Sequence, residues 1–253
     1  MTTLLISHAD CLNHEIAPGH PESPDRLRAV EKVLSGTRFN DLVREDAPMG
    51  TIEQVLHAHP EDYVKQIADA RPTEGIVHLD ADTVMSPGSW NATMRAVGAI
   101  THVVEKVVDR QFNNAFVATR PPGHHAEAHR AMGFCIFNNA AIGALHARNT
   151  LGLDRVAVVD FDVHHGNGTQ DIFWNEADMF YGSTHQMPLY PGTGAHTETG
   201  IGNIFNAPLS PGADGVDFRE AMNEVILPAL DAFRPDLIIV SAGFDAHTRD
   251  PLA

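Results

Sequence analysis

The chain has 253 residues, 43% of them apolar, with 33 acidic against 17 basic side chains and a formal charge of −16. That length and apolar share suit a packed α/β domain and exclude a disordered chain. The negative balance excludes nucleic-acid binding through the overall field and favours cationic substrates, although solubility alone would also explain it.

The first residues, Thr3–Ser7, read as a buried strand. They lack the basic flank and the length of a signal peptide, and no apolar stretch reaches the length of a membrane span. Pro24 opens a helix that continues through Ala29, Val30, Val33 and Leu34. Ser89 is placed to cap a longer one, with Trp90, Met94, Val97, Ile100, Val104 and Val108 on one stripe. Then follow a strand at Ala115–Thr119, a helix over Asn138–Asn149, and strands at Arg155–Asp162 and Met179–Ser183. A helix over Phe218–Phe233, bent by Pro228, leads into the last strand, Asp236–Ala242. The runs Val156–Val159 and Leu237–Val240 are apolar without alternation, as in parallel strands covered on both faces. The alternation of strand and helix predicts a single three-layer α/β domain over residues 1–253, with a mostly parallel central sheet and helices on both faces.

In such sheets chemistry collects outside the carboxyl ends of the strands. Three strands here end in Asp and His clusters: Arg120-Pro121-Pro122-Gly123-His124-His125, Asp160-Phe161-Asp162-Val163-His164-His165-Gly166-Asn167, and Ser241-Ala242-Gly243-Phe244-Asp245. Asp162 and His164 are two apart, so an extended chain points both side chains to one face. With Asp245 they make three ligands and leave positions for water and substrate, the pattern of a catalytic rather than a structural zinc site. The oxygen-rich set also suits Fe2+, Co2+ or Mn2+. For an isolated Asp-x-His, a helix cap and a satisfied loop histidine would be the simpler account; the buried strand before it favours the metal. Asp160 and Asn167 are available partners for His124 and His125. A carboxylate partner makes one ring more cationic, and an amide partner leaves the other more neutral and fit to act as a base. The only two cysteines, Cys11 and Cys135, lie outside any Cys-x-x-Cys pair. They offer no thiolate site and fit a reducing, cytoplasmic compartment.

These motifs, with His20-Pro21-Glu22-Ser23-Pro24-Asp25-Arg26-Leu27, Gly133-Phe134-Cys135 and Pro191-Gly192-Thr193-Gly194, resemble the histone deacetylase superfamily from end to end. That superfamily includes acetylpolyamine amidohydrolases and bacterial deacetylase-like amidohydrolases, and Asn167 resembles its class II branch. The resemblance implies a zinc-dependent amide hydrolase that removes acetyl groups from lysine side chains or small acetylated amines. It assigns the metal to Asp162, His164 and Asp245, and catalysis to His124 with Asp160 and His125 with Asn167. Phe134 and Tyr190 become tunnel walls, Leu252 a rim residue, and Arg26 a residue lining an internal cavity through which acetate leaves. A monovalent ion, K+ or Na+, would sit among Asp160, Asp162, His164, Ser183 and Thr184, and a second among Phe173, Glu176 and Met179. The partner is then an acetylated lysine peptide or acetylated polyamine; neither nucleic acid nor membrane is implied, and self-association into a homo-oligomer is left open.

Family members continue past the residues matching Asp250–Ala253, into a central strand between those matching Ala115–Thr119 and Asp236–Ala242 and a tyrosine that hydrogen-bonds the oxyanion. Tyr63, Tyr181 and Tyr190 do not match it, so the resemblance implies a domain incomplete at its C-terminus and weak activity for these 253 residues alone. Two other readings compete. An arginase-like two-metal hydrolase would need a second carboxylate where Asp245-Ala246-His247 stands. A non-catalytic acyl-lysine-binding or scaffold protein would leave the retained histidine pair without a task. Asp80 and Asp82 read as solvated loop carboxylates, His57, His59, His185 and His247 as locally hydrogen-bonded, and His14 and His20 as candidates for the pocket mouth.

Overall fold

The computed structural model describes residues 2–252. Its first half contains β1 (Thr3–Ser7), α1 (Pro24–Leu34), β2 (Val43–Asp46), α2 (Ile52–Val55), α3 (Glu61–Asp69), β3 (Val77–His78), β4 (Val84–Met85), α4 (Ser89–Val108) and β5 (Asn114–Val117). The second half adds α5 (Asn139–Asn149), β6 (Val156–Asp160), α6 (Asn167–Phe173), β7 (Met179–Gln186), β8 (Ile204–Leu209), α7 (Gly215–Ala221), α8 (Leu227–Phe233) and β9 (Leu237–Ser241). The large strands are all parallel and fall into two sections, ordered β2-β1-β5 and β8-β7-β6-β9. The break falls between β5 and β9, each of which has one hydrogen-bonded neighbour among the described residues.

Register decides where the chemistry goes. Asp160, the last residue of β6, is level with Ser183 on β7 and Ser241 on β9. The loops that follow β6 and β9 therefore start side by side at one edge of the sheet. β6 is buried along its whole length, as its apolar run Val156–Val159 predicts, and β7 is buried in all but its last residue although its second half is polar. β9 departs from that expectation: Ile239 is buried, but Ile238 and Val240 are about half exposed.

Other boundaries shift for local reasons. Gly88, not Ser89, is the cap of α4, and the Ser89 hydroxyl instead accepts the Ser86 N–H at 2.7 Å. Asn138 caps α5 by accepting the Ala141 N–H at 3.0 Å. The bend expected at Pro228 is a wide π turn over Met222–Ile226, between α7 and α8. Proline lacks the N–H and crowds the carbonyl four residues earlier, and widening the turn before it relieves both problems.

Two buried histidines brace the framework. His59 accepts the Asn138 N–H on Nε2 at 2.8 Å and donates from Nδ1 to the Ala128 carbonyl at 3.1 Å. Burial holds the ring at about 4 instead of 6.5, and a proton on Nε2 would also set N–H against N–H. His14 is likewise pushed down to about 4 by burial, with its Nδ1 2.6 Å from the Ser89 hydroxyl, so it supports the framework and does not line the mouth. As pH falls below 6.5 the unfolded chain takes up these protons first. Each ring's stabilisation is full above 6.5 and is lost between there and about 4. For His59 the loss should amount to roughly 3 kcal/mol. Urea unfolding at pH 7.5 and 4.5 should show a smaller pH-dependent loss in His59→Gln than in the parent chain; equal losses would refute the assignment.

Candidate active site

Three loops build the site. Arg120, at the start of the first, is buried and bidentate on Glu22, and also donates to the carbonyls of Cys11 and His14. With that anchor fixed, the turn after it presents His124 and His125 side by side, ring centroids 3.9 Å apart. The loop after β6 supplies Asp162 and His164, and the loop after β9 supplies Asp245.

The donor atoms of Asp162, His164 and Asp245 all lie within 4.8 Å of one another. His164 Nδ1 is 3.1 Å from Asp162 Oδ1 and 2.9 Å from Asp245 Oδ2. Backbone N–H groups orient the carboxylates: His164 N donates to Asp162 at 2.8 Å and Val163 N to Asp245 at 3.1 Å. Two carboxylates and one imidazole nitrogen converging on a point fit a divalent cation of intermediate hardness. Gly243 tightens the arrangement, because a Cβ there would run into the Asp162 carboxylate and backbone.

The histidine pair is electrically divided. His124 Nδ1 is 2.9 Å from Asp160 Oδ2, which also accepts from the Tyr181 hydroxyl at 3.3 Å. Burial opposes charge on His124, but Asp160, then Asp162 and Asp245, outweigh it and raise the ring to about 9. His125 Nδ1 is 2.9 Å from Asn167 Oδ1. Burial and the positive His124 beside it drive His125 well below 6.5. The two rings are pushed in opposite directions, His124 toward the cation and His125 toward the free base, the division their partners' chemistry predicts.

These groups face a cavity of about 710 Å³ whose lining includes Arg26, Phe134, Tyr190 and Leu252. The Tyr190 ring stands edge-on to His125, centroids 5.1 Å apart, and Phe134 is edge-on to His20 at 4.8 Å. His20 thus backs the Phe134 ring and is not itself among the residues that line the cavity. Arg26 reaches Asp250 at 3.4 Å. The cavity is also lined by Phe116 and Val117 of β5 and by Phe244, so it runs along the break between the two sheet sections.

Near the monovalent-ion position, the buried Thr184 hydroxyl has no hydrogen-bond partner, while the Ser183 hydroxyl meets His185 Nδ1 at 2.9 Å. The second proposed ion position is different: the carbonyls of Phe173, Glu176 and Met179 accept from Asn203 Nδ2 at 2.9, 3.0 and 2.8 Å. These three carbonyls converge on one side-chain amide.

Several supports were not marked by spacing. Asp82 accepts the Gly133 N–H and Thr83 the Phe134 N–H, both at 3.0 Å, and Asp80 pairs with Arg130 at 2.7 Å. These are anchors for the Phe134 wall and not merely solvated carboxylates. Gly133 and Phe134 both have positive φ, 58° and 68°, and a Cβ on Gly133 would strike the His125 ring. Glu198 holds the other wall, accepting from Gly194 N at 3.0 Å and Ala195 N at 3.1 Å.

The family model for the histone deacetylase domain matches residues 20–253. The chain belongs to the histone deacetylase family. A "probable deacetylase" of Archaeoglobus fulgidus is 36% identical over all of this chain and 71% of its own length. A "histone deacetylase-like amidohydrolase" of Pseudomonas aeruginosa is 38% identical over 94% of this chain and 64% of its own length. The crystal structure of the HDA15 HD domain superposes with a TM-score of 0.94 at 36% identity, covering 99% of this chain and 74% of that one. Family and relatives together support a hydrolytic deacetylase as the kind of enzyme this is. The single α/β fold with parallel strands and helices on both sides agrees with them. No helix among the described residues is long and apolar enough to cross a membrane.

Proposed function

We propose that this deacetylase-family chain hydrolyses the acetyl amide of lysine side chains, using a divalent cation, Zn2+ ahead of Fe2+ or Co2+, held by Asp162, His164 and Asp245. The observation that carries the reading is the convergence of those three donors beside one cationic and one neutral histidine on the wall of the same cavity. A bound cation supplies Lewis acidity to the amide carbonyl and makes water more acidic. The protein's own groups do the rest. His125 takes the proton of the attacking water on Nε2 and returns it to the departing amine as the C–N bond breaks, leaving acetate. Cationic His124 places positive field beside the oxyanion that forms in between. Phe134 and Tyr190 bury the methylenes of the acetylated chain, and Arg26 and Leu252 line its surroundings. The partnerless Thr184 hydroxyl, with the carbonyls of Asp160, Asp162 and His164 and with Ser183, supports a K+ or Na+ ion beside the loop. Residues 1–253 act as one domain in this account.

Lysine peptides rank ahead of acetylated polyamines. Leu252 puts an apolar side chain on the cavity wall, where it offers no charge to the distal ammonium of a polyamine, and Asp80 is already paired with Arg130. Acetate release from an acetyl-lysine peptide and from acetylputrescine, before and after chelation and with Zn2+ restored, tests this. Faster release from the peptide, lost with the metal, is expected. Turnover indifferent to chelation would refute the metal reading, and preference for acetylputrescine would reverse the substrate order.

A further inference from the structure

The partner of His125 is a primary amide, which can face the ring with either its oxygen or its nitrogen. Which way it faces fixes where the imidazole proton sits. An oxygen toward Nδ1 keeps the proton on Nδ1 and leaves the Nε2 lone pair free; a nitrogen would favour the opposite tautomer and remove the base. Asn167 cannot make that choice by itself.

The structure assigns the choice to Glu127. Its Oε1 accepts from Asn167 Nδ2 at 2.8 Å, on the far side of the amide from His125 Nδ1, which meets Oδ1 at 2.9 Å. An ionised carboxylate only accepts, so it can bond the NH2 end and not the oxygen end. The other neighbours of Nδ2, the His125 carbonyl at 3.5 Å and Met132 Sδ at 3.3 Å, are also acceptors. Glu127 lies in a turn tied down on each side. Its own N–H donates to the Arg130 carbonyl at 3.0 Å, Ala128 N–H donates to Asp171 Oδ2 at 3.0 Å, and the Ala128 carbonyl accepts from His59. Glu127, Asn167 and His125 therefore form an ordered chain, and Glu127 is a positioning residue acting on the base through the amide. It rests on the deacetylase reading only for its effect on turnover, because the ring tautomer can be observed without any reaction.

Ring-nitrogen NMR of histidine-labelled full chain reads that tautomer, with the His125 signals identified by their loss in His125→Gln. The parent chain should show the Nδ1–H form. Glu127→Leu should show a substantial Nε2–H population, with kcat on acetyl-lysine peptide lower by about tenfold or more and KM changed by less than about twofold. Glu127→Asp keeps the charge but withdraws the carboxylate from Asn167, and should behave like the leucine variant; it decides the matter if Glu127→Leu does not fold. Glu127→Gln, whose amide can face Asn167 with either end, lifts the accept-only constraint at unchanged reach and should show an Nε2–H population between those of the parent and the leucine variant. A pure Nδ1–H ring with unchanged kcat in the leucine or aspartate variant would overturn the assignment. If the parent chain hydrolyses no acetyl amide, the deacetylase reading fails while the tautomer still decides the role of Glu127.

Discussion

Replacing Asp245 with Ala is expected to remove stoichiometric Zn2+ and to lower acetyl-lysine hydrolysis by at least about 10³-fold, since the ion's several kcal/mol of charge stabilisation is lost with it. Asp245 is the one donor contributed from β9, and its other oxygen accepts the Val163 N–H at 3.1 Å, so it also fastens the loop carrying Asp162 and His164. Without it, two donors remain from a loop that has lost its cross-link. Gly243→Ala makes the same point without deleting a ligand, because its Cβ would displace the Asp162 carboxylate against backbone that cannot withdraw. It should reduce metal content while all three donors remain in the sequence. Metal analysis of the purified proteins, with turnover and Tm on the same samples, checks both. Full metal content in Asp245→Ala would show that the three residues do not share an ion.

Asp162 and His164 were legible because a period of two directly follows a fully buried strand, and a pattern rule acts on neighbours in sequence. Asp245 was legible because a second apolar run ends in a carboxylate. The level register of Asp160 and Ser241 is what brings those two loop starts together. Pairings across loops left no such trace. Glu127 and Asp82 are single acidic residues in polar turns, and only the folded distances show that one orients Asn167 and the other holds Gly133. β2, reading Val-Arg-Glu-Asp, and β8, containing Asn206 and Pro208, escaped for a different reason. Both are edge strands, where polar residues and proline are tolerated because one side needs no ladder partner.

The two histidines should separate under mutation even though their rings lie 3.9 Å apart. His125→Gln removes the proton acceptor and should cost about 10²–10⁴ in kcat, with little change in KM. His124→Gln removes a positive charge but leaves the base and should cost less, while releasing the neighbouring charge that helps keep His125 neutral. A divalent cation nearby would depress His125 further, in the same direction as burial and His124. The active form is the unprotonated ring, so activity is present above its pKa and lost as pH falls through it. With that value held well below 6.5, the acid limb of kcat/KM should lie well below 6.5 rather than at the ordinary histidine value. In His124→Gln the limb should move upward. A parent profile already falling at 6.5, or a His124→Gln profile that does not move, would remove the physical basis for assigning the base to His125.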